Sequence, residues 1–378
     1  MSEHLHNRKE FFMTDIYTTH YFLGSNSPAG FASLYDQLLN GPSPGMLYVI
    51  KGCPGGGKSG FMKKIGQAVS AAGCSTEYIH CSGDPDSLDG VYFPELSVAY
   101  VDGTAPHVIE PNFACVTAQY INLGAFCDAD RLQEVRQDMV LVNQRYKQLY
   151  SRAYDLIAAA DLADRGYGAL QPDGGTIAHL EKRCGGIAAR ELRTYSGHES
   201  KITRCFLSAF TCKGTVCYFD TVSQLADRVY VIDDECGFGH YLLERLKAAA
   251  VEKGYDLILC MSPFHPEVLE HIILPELSLA FVTSKAPCKY QKAPYRHIRL
   301  DSLLYKNLPG EARAKQKAGK KISGAILNDA RDTLAQAKSL HDELESFYNP
   351  AVDFDGVYRL ADSHIEALLR HPRLDNLR

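Results

Sequence analysis

The 378-residue sequence is short of several things, and each shortage removes a class of function. It has no uninterrupted run of about 18 apolar residues, the length a membrane-spanning helix requires. It has no basic excess: 40 Lys and Arg stand against 45 Asp and Glu, a formal net charge of -5. A dedicated nucleic-acid binder would carry a basic surplus or stripe, so that role is not expected. The first ten residues, MSEHLHNRKE, contain no apolar core of a secretory signal. The twelve cysteines are scattered singly with no Cys-x-x-Cys pair. Free thiols in a reducing, cytoplasmic setting are therefore expected rather than disulfides or a zinc site.

What the chain does have is length for more than one domain, an apolar fraction of 46%, and an internal repeat. Residues 85–106 read PDSLDGVYFPELSVAYVDGTAP, and residues 266–287 read PEVLEHIILPELSLAFVTSKAP, with 10 identities in 22 positions. Unrelated segments would share only about one or two at average composition. Tyr48-Val49-Ile50 and Tyr230-Val231-Ile232 extend the match, as do Phe22-Leu23 and Phe206-Leu207. One supersecondary plan is used twice.

Each copy reads as strand, loop, helix, strand and a helical tail. Residues 46–50 form an apolar run suited to a buried parallel strand. Residues 59–72 have helical spacing and end at Gly73. Residues 76–81 and 96–101 are the next strand candidates. The expected fold is α/β, two tandem P-loop NTPase-type parallel-sheet units, each with a helical hairpin as insertion or extension. The expected division is 1–200, with a helical subdomain at about 128–195, and 201–378, with a helical tail at about 322–370. The boundary is placed at residues 195–200.

The chemistry concentrates at Gly52-Cys53-Pro54-Gly55-Gly56-Gly57-Lys58-Ser59, which fits G-x-x-x-x-G-K-[ST]. Glycines let successive backbone N–H groups converge on one phosphate, and the helix that follows presents its positive end to the same anion. Gly52, Gly55, Gly56, Gly57, Lys58, Ser59 and Gly60 are the candidate nucleotide-binding residues. Lys58 would reach the β- and γ-phosphates and Ser59 would ligate Mg²⁺. Asp102, closing an apolar strand, is the second candidate for the Mg²⁺ shell. His80, Asp84 and Asp86 follow the second strand and are candidates, with Lys58, for the catalytic machinery; His107 is a further loop candidate. The sequence DPDSLDG also reads as a turn that caps a helix, with Asp84 or Asp86 as N-cap.

In the second copy, residues 233–241 (DDECGFGHY) fall on the phosphate loop, with Gly52 matched to Asp234, Lys58 to His240 and Ser59 to Tyr241. Thr283 stands where Asp102 stands in the first copy. Carboxylates in the loop would repel a triphosphate, so this half is expected to bind no nucleotide. It could instead be purely structural, or supply an arginine in trans from Arg245, Arg296 or Arg299.

The segments HYFLGSNSPAGF, GCPGGGKS, HCSGDPDSLDG, PELSVAYVDGTAPH and INLGAF resemble a bacterial family of duplicated P-loop ATP-binding proteins, and SAFTCKG with EHIILPELSLAFVTS extends the resemblance to the second half. The resemblance implies cytoplasmic ATP binding with Mg²⁺ and falls on Gly52, Gly57, Lys58, Ser59 and Asp102. Members commonly keep both loops intact, and this chain departs at Asp234, His240 and Tyr241.

The expectation is a Mg²⁺-dependent ATP-binding protein, an ATPase acting through its first half. The alternatives are a P-loop kinase with a small-molecule or nucleotide acceptor, and a nucleotide-gated interaction protein with little turnover. Gly103 after Asp102 leaves no catalytic glutamate at that place, which weakens the ATPase reading and keeps the kinase in play. Self-association is left open.

Overall fold

The computed structural model describes residues 16–40, 45–106, 108–111, 114–166, 174–193, 197–305 and 309–375. His107 and residues 194–196 of the expected boundary lie outside them. The first half runs β1 (Thr18–Phe22), β2 (Gly24–Ser27), β3 (Gly30–Ser33), α1 (Gln37–Asn40), β4 (Met46–Lys51), α2 (Lys58–Ala71), β5 (Thr76–His80), β6 (Leu88–Phe93), β7 (Val98–Asp102), β8 (Ala118–Asn122), α3 (Ala129–Gln133), α4 (Arg136–Gly166) and α5 (Gly174–Glu191). The second runs β9 (Ile202–Cys205), β10 (Ser208–Thr211), β11 (Gly214–Cys217), α6 (Asp220–Leu225), β12 (Arg228–Asp233), α7 (Gly239–Glu252), β13 (Leu257–Met261), β14 (Leu269–Leu274), β15 (Leu279–Ser284), β16 (Arg296–Ile298), α8 (Leu300–Tyr305), α9 (Gly310–Tyr348), α10 (Phe354–Leu369) and α11 (Pro372–Asp375).

Two six-stranded sheets result, ordered β1-β5-β6-β7-β4-β8 and β9-β13-β14-β15-β12-β16. Counterpart strands occupy the same places in both. The sheets are mixed rather than parallel throughout: β6 runs antiparallel to β5 and β7, as β14 does to β13 and β15. The reason is connection length. Four residues, 94–97, join β6 to β7, whereas a parallel crossover needs a dozen or more. Ser97 turns that corner at φ 55, so the strand expected over 96–101 begins at Val98.

The halves meet about a pseudo-twofold axis. Phe22 N–H donates to Phe206 O at 2.9 Å and Phe206 N–H donates to Phe22 O at 2.9 Å. Around this pair the Thr221 hydroxyl donates to His20 O (2.7 Å) and accepts from His20 N–H (2.8 Å). The Gln37 side chain brackets the Arg204 backbone in the same way from the other half. Such reciprocal contacts are those of a twofold dimer, here fused into one chain. One apolar core accordingly draws on both halves, joining Leu23, Val49 and Val101 to Leu207, Val222, Ile273 and Val282.

The helices that follow each sheet cross to the other half. From the first half, α5 lays Leu180, Cys184 and Ile187 on the second half's core beside Leu242, Leu243 and Leu246 of α7. From the second, α10 lays Val357, Ala361 and Leu368 on the first half's core beside Phe61, Met62 and Ile65 of α2. The long helices α4 and α9 pack antiparallel, Ala153 and Ile157 meeting Ala330 and Leu334 while Val142 meets Leu340 and Leu344. At 39 residues α9 is about 58 Å long at 1.5 Å rise per residue, which lets it reach from one half to the other. Among the described residues no helix is long and apolar enough to cross a membrane, and all twelve cysteines are free thiols.

Candidate functional site

The loop 52–57 joins β4, an interior strand between β7 and β8, to α2 at the carboxyl edge of the first sheet, where α/β folds place their ligands. Gly55 (φ 66) and Gly57 (φ 84) hold the left-handed backbone that turns successive amides inward, and Gly57 is the residue preceding α2. At the first helical position, Lys58 Nζ donates to Cys53 O (2.9 Å) and Gly52 O (3.3 Å) and stands 3.7 Å from Asp102 Oδ2. Both side chains are largely shielded, at 11% and 13% exposure, so the pair is felt more strongly than a surface bridge. Asp102 is fixed by its other oxygen, which accepts from Thr104 N–H (2.8 Å) and from the Thr104 hydroxyl (2.6 Å). Ser59 Oγ accepts from Leu88 N–H at 3.0 Å, tying the start of α2 to β6. The hydroxyl of Ser59 and the carboxylate of Asp102 are hard oxygen donors of the kind Mg²⁺ takes, so this residue set fits that ion.

The structure brings Lys58, Ser59 and Asp102 to one loop, and it gives the other catalytic candidates different partners. His80 Nδ1 donates to Pro85 O (2.8 Å), which leaves Nε2 to accept from His20 Nδ1 (2.9 Å). Burial lowers its pKa to about 4, so the ring is neutral and its lone pair is engaged. Asp84 accepts from Ser87 Oγ (3.0 Å) and Asp86 N–H (3.2 Å) and faces Lys338 of α9 at 3.4 Å. Asp86 pairs with Lys213 of the β10–β11 hairpin. The expected turn is present over residues 84–87, but it leads into strand β6 at Leu88 and caps no helix. Cys53, inside the loop, is hydrogen-bonded to Cys127, and burial pushes its thiol up to about 11, which leaves it a poor nucleophile.

Several residues at this loop come from some 290 positions away, and no local signal points to them. The Glu345 carboxylate accepts from Gly55 N–H and is held below its usual range chiefly by its bond to His341. A Cβ on Gly55 would stand 2.9 Å from Asn349 Oδ1, and one on Gly60 would stand 3.0 Å from the Tyr358 hydroxyl. The C-terminal helices therefore lie directly on the loop. Of the three arginines considered for action in trans, Arg245 is paired with Glu181 (2.6 Å) and Arg296 lies over the Tyr295 ring. The second-half cations that reach the catalytic candidates are instead Lys213, on Asp86, and Lys338, on Asp84.

The counterpart loop, 234–238, is one residue shorter. This corrects the sequence register. On α2 the buried positions are Phe61, Met62, Ile65 and Val69, and on α7 they are Leu242, Leu243, Leu246 and Ala250. Lys58 therefore corresponds to Gly239 rather than His240, and Ser59 to His240 rather than Tyr241. A Cβ at Gly239 would lie 2.8 Å from both Asp234 Oδ2 and Thr283 Cγ2, so a lysine has no room there. Asp234 folds its carboxylate back into the loop, accepting from Gly239 N–H at 2.7 Å and also from Phe238. Asp301 of α8 accepts from Glu235 N–H (2.9 Å) and Cys236 N–H (3.0 Å). Burial raises Asp234 to about 6, with Lys285 opposing.

The chain matches no protein-family model, no curated protein and no solved structure.

Proposed function

We propose that the protein binds ATP with Mg²⁺ at the first loop alone and hydrolyses it slowly, as a cytoplasmic, duplicated P-loop ATP-binding protein with a degenerate second half. The observation that carries this reading is Lys58, placed at the head of α2 between the loop carbonyls and Asp102. The amides of Gly55 to Lys58 would surround phosphate oxygens, and Lys58 would exchange its carbonyl contacts for the β- and γ-phosphates. Ser59 and Asp102 would hold Mg²⁺, directly and through water, and the bound ion would neutralise charge on the β- and γ-oxygens. Glu345 has to leave Gly55 for a phosphate to take its place.

Slow turnover follows from what surrounds Asp102. A Cβ at Gly103 would stand 2.3 Å from Val49 Cγ1, so no glutamate can occupy that position to activate water. The same observation favours a second reading, transfer to a small-molecule hydroxyl. ATP turnover measured alone and with a panel of nucleosides and metabolites separates these. Phosphate release without acceptor supports hydrolysis, acceptor-dependent ADP supports a kinase, and binding without either supports a nucleotide-gated switch. No ATP binding in the presence of Mg²⁺ rejects all three.

A further inference from the structure

Beside the loop, a cleft of about 400 Å³ opens between the N-terminal end of α4 and the C-terminal end of α9. We propose that this cleft receives the nucleoside, base and ribose together, of the nucleotide whose phosphates the loop holds; the inference rests on the reading above and adds a subsite to it.

Three observations carry it. First, Pro54 of the phosphate loop forms one wall, so a ligand in the cleft is continuous with one on the loop. Second, the topology sets the direction of the nucleotide. Strand β4 lies between β7, which ends in Asp102, and β8, which leads through the turn Leu123–Phe126 into α3. The terminal phosphates belong on the Asp102 side, so the nucleoside leaves on the β8 side, and there Gln133 of α3 lines the cleft. Third, the walls match the chemistry of a nucleoside. Leu344 and Tyr348 offer apolar and aromatic surface for a planar ring, while Gln133, Arg136 and Asn143 offer donors and acceptors for ring edges and hydroxyls. A few polar groups on apolar walls, at the lower end of the usual volume range, describe most small-molecule sites. Leu344 and Tyr348 come from α9, so the second half, with its own loop closed, completes the site of the first.

The test compares ATP with inorganic tripolyphosphate, each with Mg²⁺, by calorimetry on the full chain. Tyr348→Leu and the double variant Arg136→Ala/Asn143→Ala should each weaken ATP roughly tenfold, the size of a lost stacking or paired polar contact, and leave tripolyphosphate affinity unchanged. Arg136 is exposed, and circular dichroism of each variant serves as the check that it folds. Parallel losses for both ligands, or no loss for either, overturn the assignment while leaving the loop reading intact. Lys58→Ala serves as the control and should weaken both ligands. If it weakens neither, the nucleotide reading fails and the cleft assignment fails with it.

Discussion

The two loops start from the same situation and reach opposite solutions. Each sits at the head of a 14-residue helix, after the counterpart strand of its own six-stranded sheet. A helix N-terminus with inward-turned amides carries positive potential that an anion must satisfy. In the second half the anion is built in. Asp234 and Asp301 take the amides of Glu235, Cys236, Phe238 and Gly239, and the place of a lysine is filled by the Asp234 carboxylate itself. In the first half Lys58 is present, and the carboxylate on the loop, Glu345, comes from a distant helix through one amide. On the proposed reading, losing a ligand site in this fold does not mean losing the anion; it means exchanging a diffusible one for a covalently attached one.

Breaking the first loop should have the largest effect. On the proposed reading, Lys58→Ala weakens Mg-ATP binding by about 3 kcal/mol, the cost of removing one partner of a shielded charged contact; calorimetry that shows unchanged affinity would contradict it. In the second loop, Asp234→Ala strands buried amides and should cost about 2 kcal/mol of folding stability in denaturant titration, without altering ATP affinity. Asp234→Asn sharpens the point through pH. A carboxyl raised from 3.8 to about 6 binds its proton more readily in the folded chain. Its contribution to stability therefore falls as pH rises between those values, and Asp234→Asn should remove that slope from the stability–pH curve. A slope unaltered by the substitution would place the titration elsewhere.

A smaller change is expected where the loops differ in exchangeability. Glu345→Gln removes the competing negative charge over Gly55 and should tighten ATP binding by about 1 kcal/mol, with the gain shrinking at high salt. Weaker binding would mean that Glu345 assists the nucleotide instead of competing with it. The smallest effect belongs to attempts at repair. Neither Gly239→Lys nor His240→Lys should create a second nucleotide site, because Asp234 and the shorter loop remain; equilibrium dialysis showing added bound nucleotide in either variant would refute the built-in anion.

How much of this was legible in the sequence depended on distance along the chain. The duplication, the strand–loop–helix around residues 46–71 and the placing of Asp102 beside the loop that carries Lys58 rest on local spacing and a strong repeat. Strand β6 was hidden because Asp89-Gly90 interrupts it with turn-type residues, although its backbone is paired on both sides. The register of the second loop was displaced by one residue because nothing in DDECGFGHY marks a deletion; only the buried phase of Leu242, Leu243 and Leu246 fixes it. The crossing of α5 and α10 to opposite halves was not readable. An amphipathic helix shows that it has an apolar face without showing which sheet covers it. Glu345 and Tyr348 of α9, and Asn349 just after it, reach the first loop only because α9 spans from one half to the other.

The most direct measurement is the number of nucleotides bound per chain, taken with a slowly hydrolysed ATP analogue and Mg²⁺ for the wild type and for Lys58→Ala. One nucleotide per wild-type chain, lost in the variant, is the predicted result. Two per chain, or one that survives Lys58→Ala, would contradict the assignment of the first loop as the single site.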